Sequence, residues 1–159
     1  MSQLAELFLV RREHIGALLD AATPRRRLLR RPRDTFDDAF AALAEPLEVY
    51  EGSGIHVVAV LSYLAERGAP VLEGRLAGAA ASLSEARQTT FFLFTASDER
   101  HLADLDPGAH DEAELRRYAE ELYELADPAA GPAMRDALAL LHRRVAALDD
   151  ASALLLRVG

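Results

Sequence analysis

Five residues with metal-binding side chains fall within eleven positions: His101, Asp104, Asp106, His110 and Asp111. Imidazole nitrogens and carboxylate oxygens suit zinc and other divalent ions. His101 and Asp104 are three apart, so a helix would set them on one face. His110 would come round from the Pro107-Gly108 turn. His101, Asp104 and His110 thus form the candidate metal set, and with them a metal-dependent hydrolase or small-ligand-binding domain is the alternative reading of the chain. The plainer reading is a solvated acidic turn, with Asp106 and Asp111 punctuating helices. An EF-hand is excluded, because Pro107 follows Asp104-Leu105-Asp106 where that loop needs Asx and Gly.

A second group is basic. Arg25, Arg26, Arg27, Arg30, Arg31 and Arg33 place six guanidinium groups in nine residues, with Leu28 and Leu29 among them. Guanidinium pairs bidentately with carboxylate and phosphate, so this stretch is the candidate binding segment for an acidic partner or a phosphate-bearing ligand. The plainer reading is a solvated loop drawn to acidic surface on its own or a neighbouring molecule. It holds no aromatic residue on which a base could stack.

Catalytic motifs are missing: no nucleophile elbow, Walker loop, dinucleotide fingerprint or His-Glu-x-x-His is present. Gly52-Ser53-Gly54 ahead of an apolar helix hints at anion binding by helix amides, but a plain turn explains it as well. His14, His56 and His142 stand singly and read as ordinary core or interfacial histidines. No cysteine occurs in the 159 residues, which excludes disulfides, thiol catalysis and thiolate metal sites. No cofactor is implied.

Charge narrows the partners. The formal net charge is -8, and all 18 basic residues are arginine. An acidic surface repels phosphate backbones, so general nucleic-acid binding is not expected. The distribution is uneven: residues 1–34 hold eight arginines against four acids, and residues 98–127 hold eleven acids against three arginines. No apolar run is long enough to span a membrane, and the start lacks a basic n-region and a cleavage site. The expectation is a bacterial cytoplasmic protein with no membrane association, its arginine and alanine usage fitting a GC-rich genome. One globular domain over 1–159 suits the length.

The elements that must position these residues follow from periodicity. Leu4 to Val10 is nearly continuous apolar sequence; a short strand over 5–10 followed by a helix over 12–22 explains the change of period at Arg11 to Glu13, with one long helix through both parts as the alternative. Phe91 to Phe94 is aromatic strand composition, and Thr95 with Asp98 three residues on predicts a capped helix over 96–105. The same strand-then-helix pattern is thus used twice. Between them, helices are expected over 35–43, closed by Pro46, over 55–67, with Gly68 as its cap, and over 76–87. Residues 47–50 predict a short strand. Asp111 with Glu114 caps a helix whose stripe Leu115, Tyr118, Leu122 and Leu125 reads as core packing. Tyr50 and Tyr123 are expected to be partly exposed, where tyrosine suits an interface. Gly131-Pro132 opens a further helix, and Ala153 to Val158 predicts a closing strand. The fold class is α+β, about six helices with a small sheet of three to five short strands; an all-α bundle is the alternative.

The run Ala5-Glu6-Leu7-Phe8-Leu9-Val10 leading into Arg12-Glu13-His14-Ile15, Phe91 to Phe94 leading into Ser97-Asp98-Glu99, and the closing Ala153-Leu154-Leu155-Leu156 together resemble the YfbM-like family of bacterial cytoplasmic proteins. That resemblance implies a small α/β protein and carries over no site. With one domain, no catalytic constellation and segregated charge, the expected function is a non-catalytic binding or protein-interaction domain, inhibitor- or immunity-like, with a protein partner and a homodimer as one form of it.

Overall fold

The computed structural model describes residues 3–23, 34–69, 71 and 73–159. Four strands form one antiparallel sheet: β1 (Ala5–Arg11), β2 (Ala44–Tyr50), β3 (Thr90–Thr95) and β4 (Ser152–Val158), in the order β2-β1-β4-β3. The helices are α1 (Ile15–Ala22), α2 (Phe36–Leu43), α3 (Gly54–Glu66), α4 (Ala77–Arg87), α5 (Leu102–Leu105), α6 (Glu112–Tyr123) and α7 (Ala130–Ala146). The α+β expectation holds, and a four-stranded sheet removes the all-α alternative.

The two strand-helix units flank β4 and run parallel to each other. Ala5 and Thr90 both face Val158, and Val10 and Thr95 both lie opposite or beside Ala153. Alternation sorts the side chains onto two faces. Leu7, Phe94, Leu154 and Leu156 pack with α3, α6 and α7, whereas Phe8, Phe91, Leu93 and Leu155 pack with α1, α2 and α4. A strand covered on both faces carries apolar residues at successive positions rather than alternate ones. That is why Ala153 to Leu156 form an unbroken apolar run, all fully buried.

The sheet edges are managed differently. On β3, Ser84 Oγ accepts the Phe91 N–H at 2.9 Å and Asp98 accepts the Thr95 N–H at 2.7 Å, so side chains occupy two positions a further strand would need. On β2, the pairing with β1 skips Leu47, and Pro46 sits beside that bulge. Pro46 was expected to close a helix at a loop. It lies instead inside the edge strand, where a missing N–H is tolerated. The strand also begins earlier than expected, directly from α2. The expected helix over 96–105 is a tight 3-10 segment (Ala96–His101) followed by the four residues of α5. Its predicted cap is formed: Thr95 and Asp98 make a reciprocal capping box, and both are buried. Gly54 lets α3 start against the sheet, since a Cβ there would meet Val158 at 2.7 Å. Among the described residues no helix is long and apolar enough to cross a membrane.

Candidate interaction site

The two helices α3 and α6 lie side by side on the outer surface of one helical layer. They run antiparallel: Tyr123 OH, at the end of α6, donates to the Ile55 carbonyl at 3.0 Å near the start of α3, and Glu114 pairs with Arg67 at the opposite ends. Each end of this helix pair carries a recess.

The first recess is a cavity of about 180 Å³ at the start of α3. Ile55, Ala119, Leu125, Ala130 and the Tyr123 ring supply its apolar wall, with Ser53, His56 and Asp127 on its polar side. Asp127 ties the start of α3 to the start of α7. One carboxylate oxygen accepts from the Ala129 N–H at 2.9 Å, and the other lies 3.0 Å from His56 Nε2. The hydrogen bond from His56 is the main reason that the Asp127 carboxyl sits below its ordinary value; the Ala129 N–H adds to it and burial opposes it. Among the described residues, His56 Nδ1 and Ser53 Oγ are buried without a hydrogen-bond partner. Serine, histidine and aspartate are the residue types of a nucleophilic relay. Here Ser53 and His56 are joined only through the main chain, the His56 N–H donating to the Ser53 carbonyl at 3.0 Å, and the hydroxyl is buried, so the geometry does not present a nucleophile.

The rim of this cavity corrects the sequence reading of α6. The stripe Leu115, Tyr118, Leu122 and Leu125 was expected to pack as core throughout. Leu115 is fully buried and Tyr118 partly so, but Leu122 is 42% exposed and Leu125 67%. The core ends where α6 overhangs it, while the apolar pattern continues. Tyr123 is 39% exposed, as expected of an interfacial tyrosine, whereas Tyr50 is buried and donates to the Ala133 carbonyl at 2.6 Å. Burial pushes the Tyr50 hydroxyl up to about 12, with Asp136 adding to the shift.

The second recess is a cleft of about 280 Å³ between Tyr63, Glu66 and Arg67 of α3 and its continuation, and Glu114, Arg117, Tyr118 and Glu121 of α6. The Arg67 guanidinium lies 4.6 Å above the Tyr63 ring and pairs with Glu114. Tyr63 also meets the rings of Tyr118 and His110 edge-on. Tyr118 OH donates to Glu66 at 2.8 Å; burial first, and then that carboxylate, push its pKa up to about 12. Tyr63 is buried, and its hydroxyl has no partner among the described residues.

No family model, curated protein or solved structure compared with the chain matches it. The site therefore rests on geometry.

The expected site residues fall elsewhere. His101 Nδ1 stands 3.5 Å from an Asp104 carboxylate oxygen, as their spacing implied. His110 turns its Nε2 to the Asp104 main-chain oxygen at 2.6 Å and its ring to Tyr63, so it does not join the other two through their side chains. Among the described residues no group of three or more histidines and carboxylates is placed to hold a metal ion. Arg25, Arg26, Arg27, Arg30, Arg31 and Arg33 lie outside the described residues. The His56–Asp127 pair spans 71 positions and the Tyr118–Glu66 pair 52, so no local spacing announces either. The one local signal was the apolar stripe of α6, which ran on into the most acidic segment of the chain.

Proposed function

We propose that the protein is a non-catalytic interaction domain that binds a basic protein partner through the α3–α6 face. The exposed apolar end of α6 carries this reading: Leu122, Tyr123 and Leu125 stand in solvent, and the last two border a partly open, mostly apolar recess. Exposed apolar side chains grouped around a recess mark interaction surfaces more often than single ones do. The surrounding segment, eleven acids against three arginines, supplies a field that speeds encounter with a basic surface and disfavours an acidic one. An inhibitor or immunity-like role in the bacterial cytoplasm fits such a face, because it needs affinity and selectivity and no chemistry.

The test compares the wild-type chain with Leu125→Glu as baits in lysate of the source cell. Leu125 is exposed, so its replacement leaves the core intact. The expected result is a basic protein retained by the wild type, lost with Leu125→Glu and released by salt. Identical protein sets on the two baits would overturn the proposal.

A further inference from the structure

The geometry points to a second docking surface: the open edge of β2 takes an extended segment of a partner protein as a fifth strand, with an apolar residue opposite Val49 flanked by arginine or lysine on the α7 side. This surface is distinct from the α3–α6 face, since it shares no lining residue with either recess there.

The main chain comes first. Leu4 and Gly159 exchange both of their hydrogen bonds, at 2.9 and 3.1 Å, just past the paired ends of β1 and β4. Main-chain groups alternate sides along a strand, so those of Glu6 face β4 and those of Ala5 and Leu7 face β2. Their partners there, Tyr50 and Glu48, return the bonds to β1. Val49, between them, turns its N–H and C=O to the open side, where no further strand of the sheet lies. On β3 the outward N–H groups of Phe91 and Thr95 are occupied by Ser84 and Asp98. On β2 the bulge and Pro46 interrupt pairing only on the Ala44 side of Glu48. Val49 itself is apolar and 53% exposed, at a place where an edge closed to partners commonly carries a charge.

Side chains then select the partner. A residue opposite Val49 exchanges two hydrogen bonds with it and sets its own side chain against the valine. Tyr50 packs toward α7, so Val49 and that residue lie on the other face of the sheet. The partner residues on either side of it point back toward α7. There a trough of about 510 Å³ separates the end of β2 from the helix. Ala133, Asp136, Leu140 and Arg143 line it from α7 at helical spacing. Arg143 is taken by Glu48 at 2.9 Å. Asp136 and Glu51 line the same trough, are exposed, and form no ion pair among the described residues. Two uncommitted carboxylates beside an open strand edge suit arginine or lysine, whose methylene stems can lie along Ala133. A second copy is the poorer occupant, because it would bring its own Glu45 and Glu51 to an edge that already carries both.

The experiment adds fluorescein-labelled peptides of sequence Thr-Thr-Arg-Val-Arg-Thr-Thr, blocked at both ends, to the full chain. One control carries N-methylvaline at the centre, which removes the pairing N–H and leaves the charge unchanged. Another replaces both arginines by glutamine. Fluorescence anisotropy should show the N-methyl control binding about tenfold more weakly, the equivalent of one lost hydrogen bond. Glu51→Gln combined with Asp136→Asn, both at exposed positions, should weaken the arginine peptide about fivefold and leave the glutamine peptide unchanged. Amide hydrogen exchange followed by NMR reads the edge directly: in the free chain Val49 should exchange fast between protected Glu48 and Tyr50, and the arginine peptide should slow it. No binding of the arginine peptide, equal binding of the N-methyl control, or a Val49 amide already protected in the free chain would overturn the added strand. Binding indifferent to the double substitution would overturn the choice of a basic side chain. A concentration-dependent dimer that protects the Val49 amide would show that a second copy takes the edge instead. None of these outcomes involves Leu125, so the α3–α6 reading stands or falls separately.

Discussion

Replacing Gly131 by alanine should destabilise the protein, although the same replacement at two matching glycines should stabilise it. Gly16, Gly78 and Gly131 are each the second residue of a helix, in α1, α4 and α7. Local backbone preference therefore treats them alike, and alanine at a compatible helical glycine gains about 0.4–1 kcal/mol. Their surroundings differ. A Cβ on Gly16 or Gly78 meets nothing within 4 Å, whereas one on Gly131 would lie 2.6 Å from the Glu112 carbonyl oxygen and 2.9 Å from Glu112 Cγ. The obstructing atom is backbone, so α6 and α7 must part by roughly 0.8 Å to regain ordinary contact, a separation that forfeits a quarter to a half of the dispersion attraction between facing atoms. Ala130, Met134, Leu115 and Ala119 are all buried near this contact. The expected net cost for Gly131→Ala is about 1–3 kcal/mol, the range for overpacking. Thermal melts should show a fall of about 2–4 °C per kcal/mol at this chain length, with Gly16→Ala and Gly78→Ala rising slightly. Urea unfolding with an unchanged slope would confirm that stability alone has moved. If Gly131→Ala stabilised as much as the other two, the close approach of α6 and α7 would be wrong.

Asp98→Ala leaves the buried Thr95 N–H without its acceptor and should cost about 1–3 kcal/mol in urea unfolding. Asp98→Asn keeps one acceptor oxygen and should cost less; equal losses would show that the cap is not the source. Asp127 should titrate below 3.8 in carbon-detected NMR, and His56→Ala should move its midpoint back up. Because the folded value is lowered, the stabilising contribution is present above the unfolded value and fades as pH falls through the folded one. A midpoint unmoved by His56→Ala would refute the assigned cause.

Much of the fold was legible because its signals are local. The apolar runs at Leu7 to Val10 and Phe91 to Phe94 changed to helical period within a few residues, and both became strands antiparallel to β4, one on each side of it. Asp111, Thr95 and Gly68 acted as the caps their residue types imply. Pro46 was misread because proline stops helices generally, whereas here an edge bulge accommodates it. The α6 stripe shows the limit of periodicity. It identifies which residues share a face, but only tertiary packing decides whether that face is covered, and coverage ends between Ala119 and Leu122. The site depended on contacts of 52 and 71 residues' separation, which no local pattern encodes.

The position of β4 in the sheet bears on how the chain folds. β1 and β3 never touch; the latest strand in chain order wedges between them. Until it arrives, the β1–β2 pair and β3 each expose an unpaired border of main-chain groups. Closure must therefore wait for β1–β4 contacts spanning more than a hundred residues, and contacts of that separation slow folding relative to a fold built from local ones. Substitutions that weaken the Leu154 to Leu156 run should lower the yield of folded protein more than their equilibrium cost alone would imply.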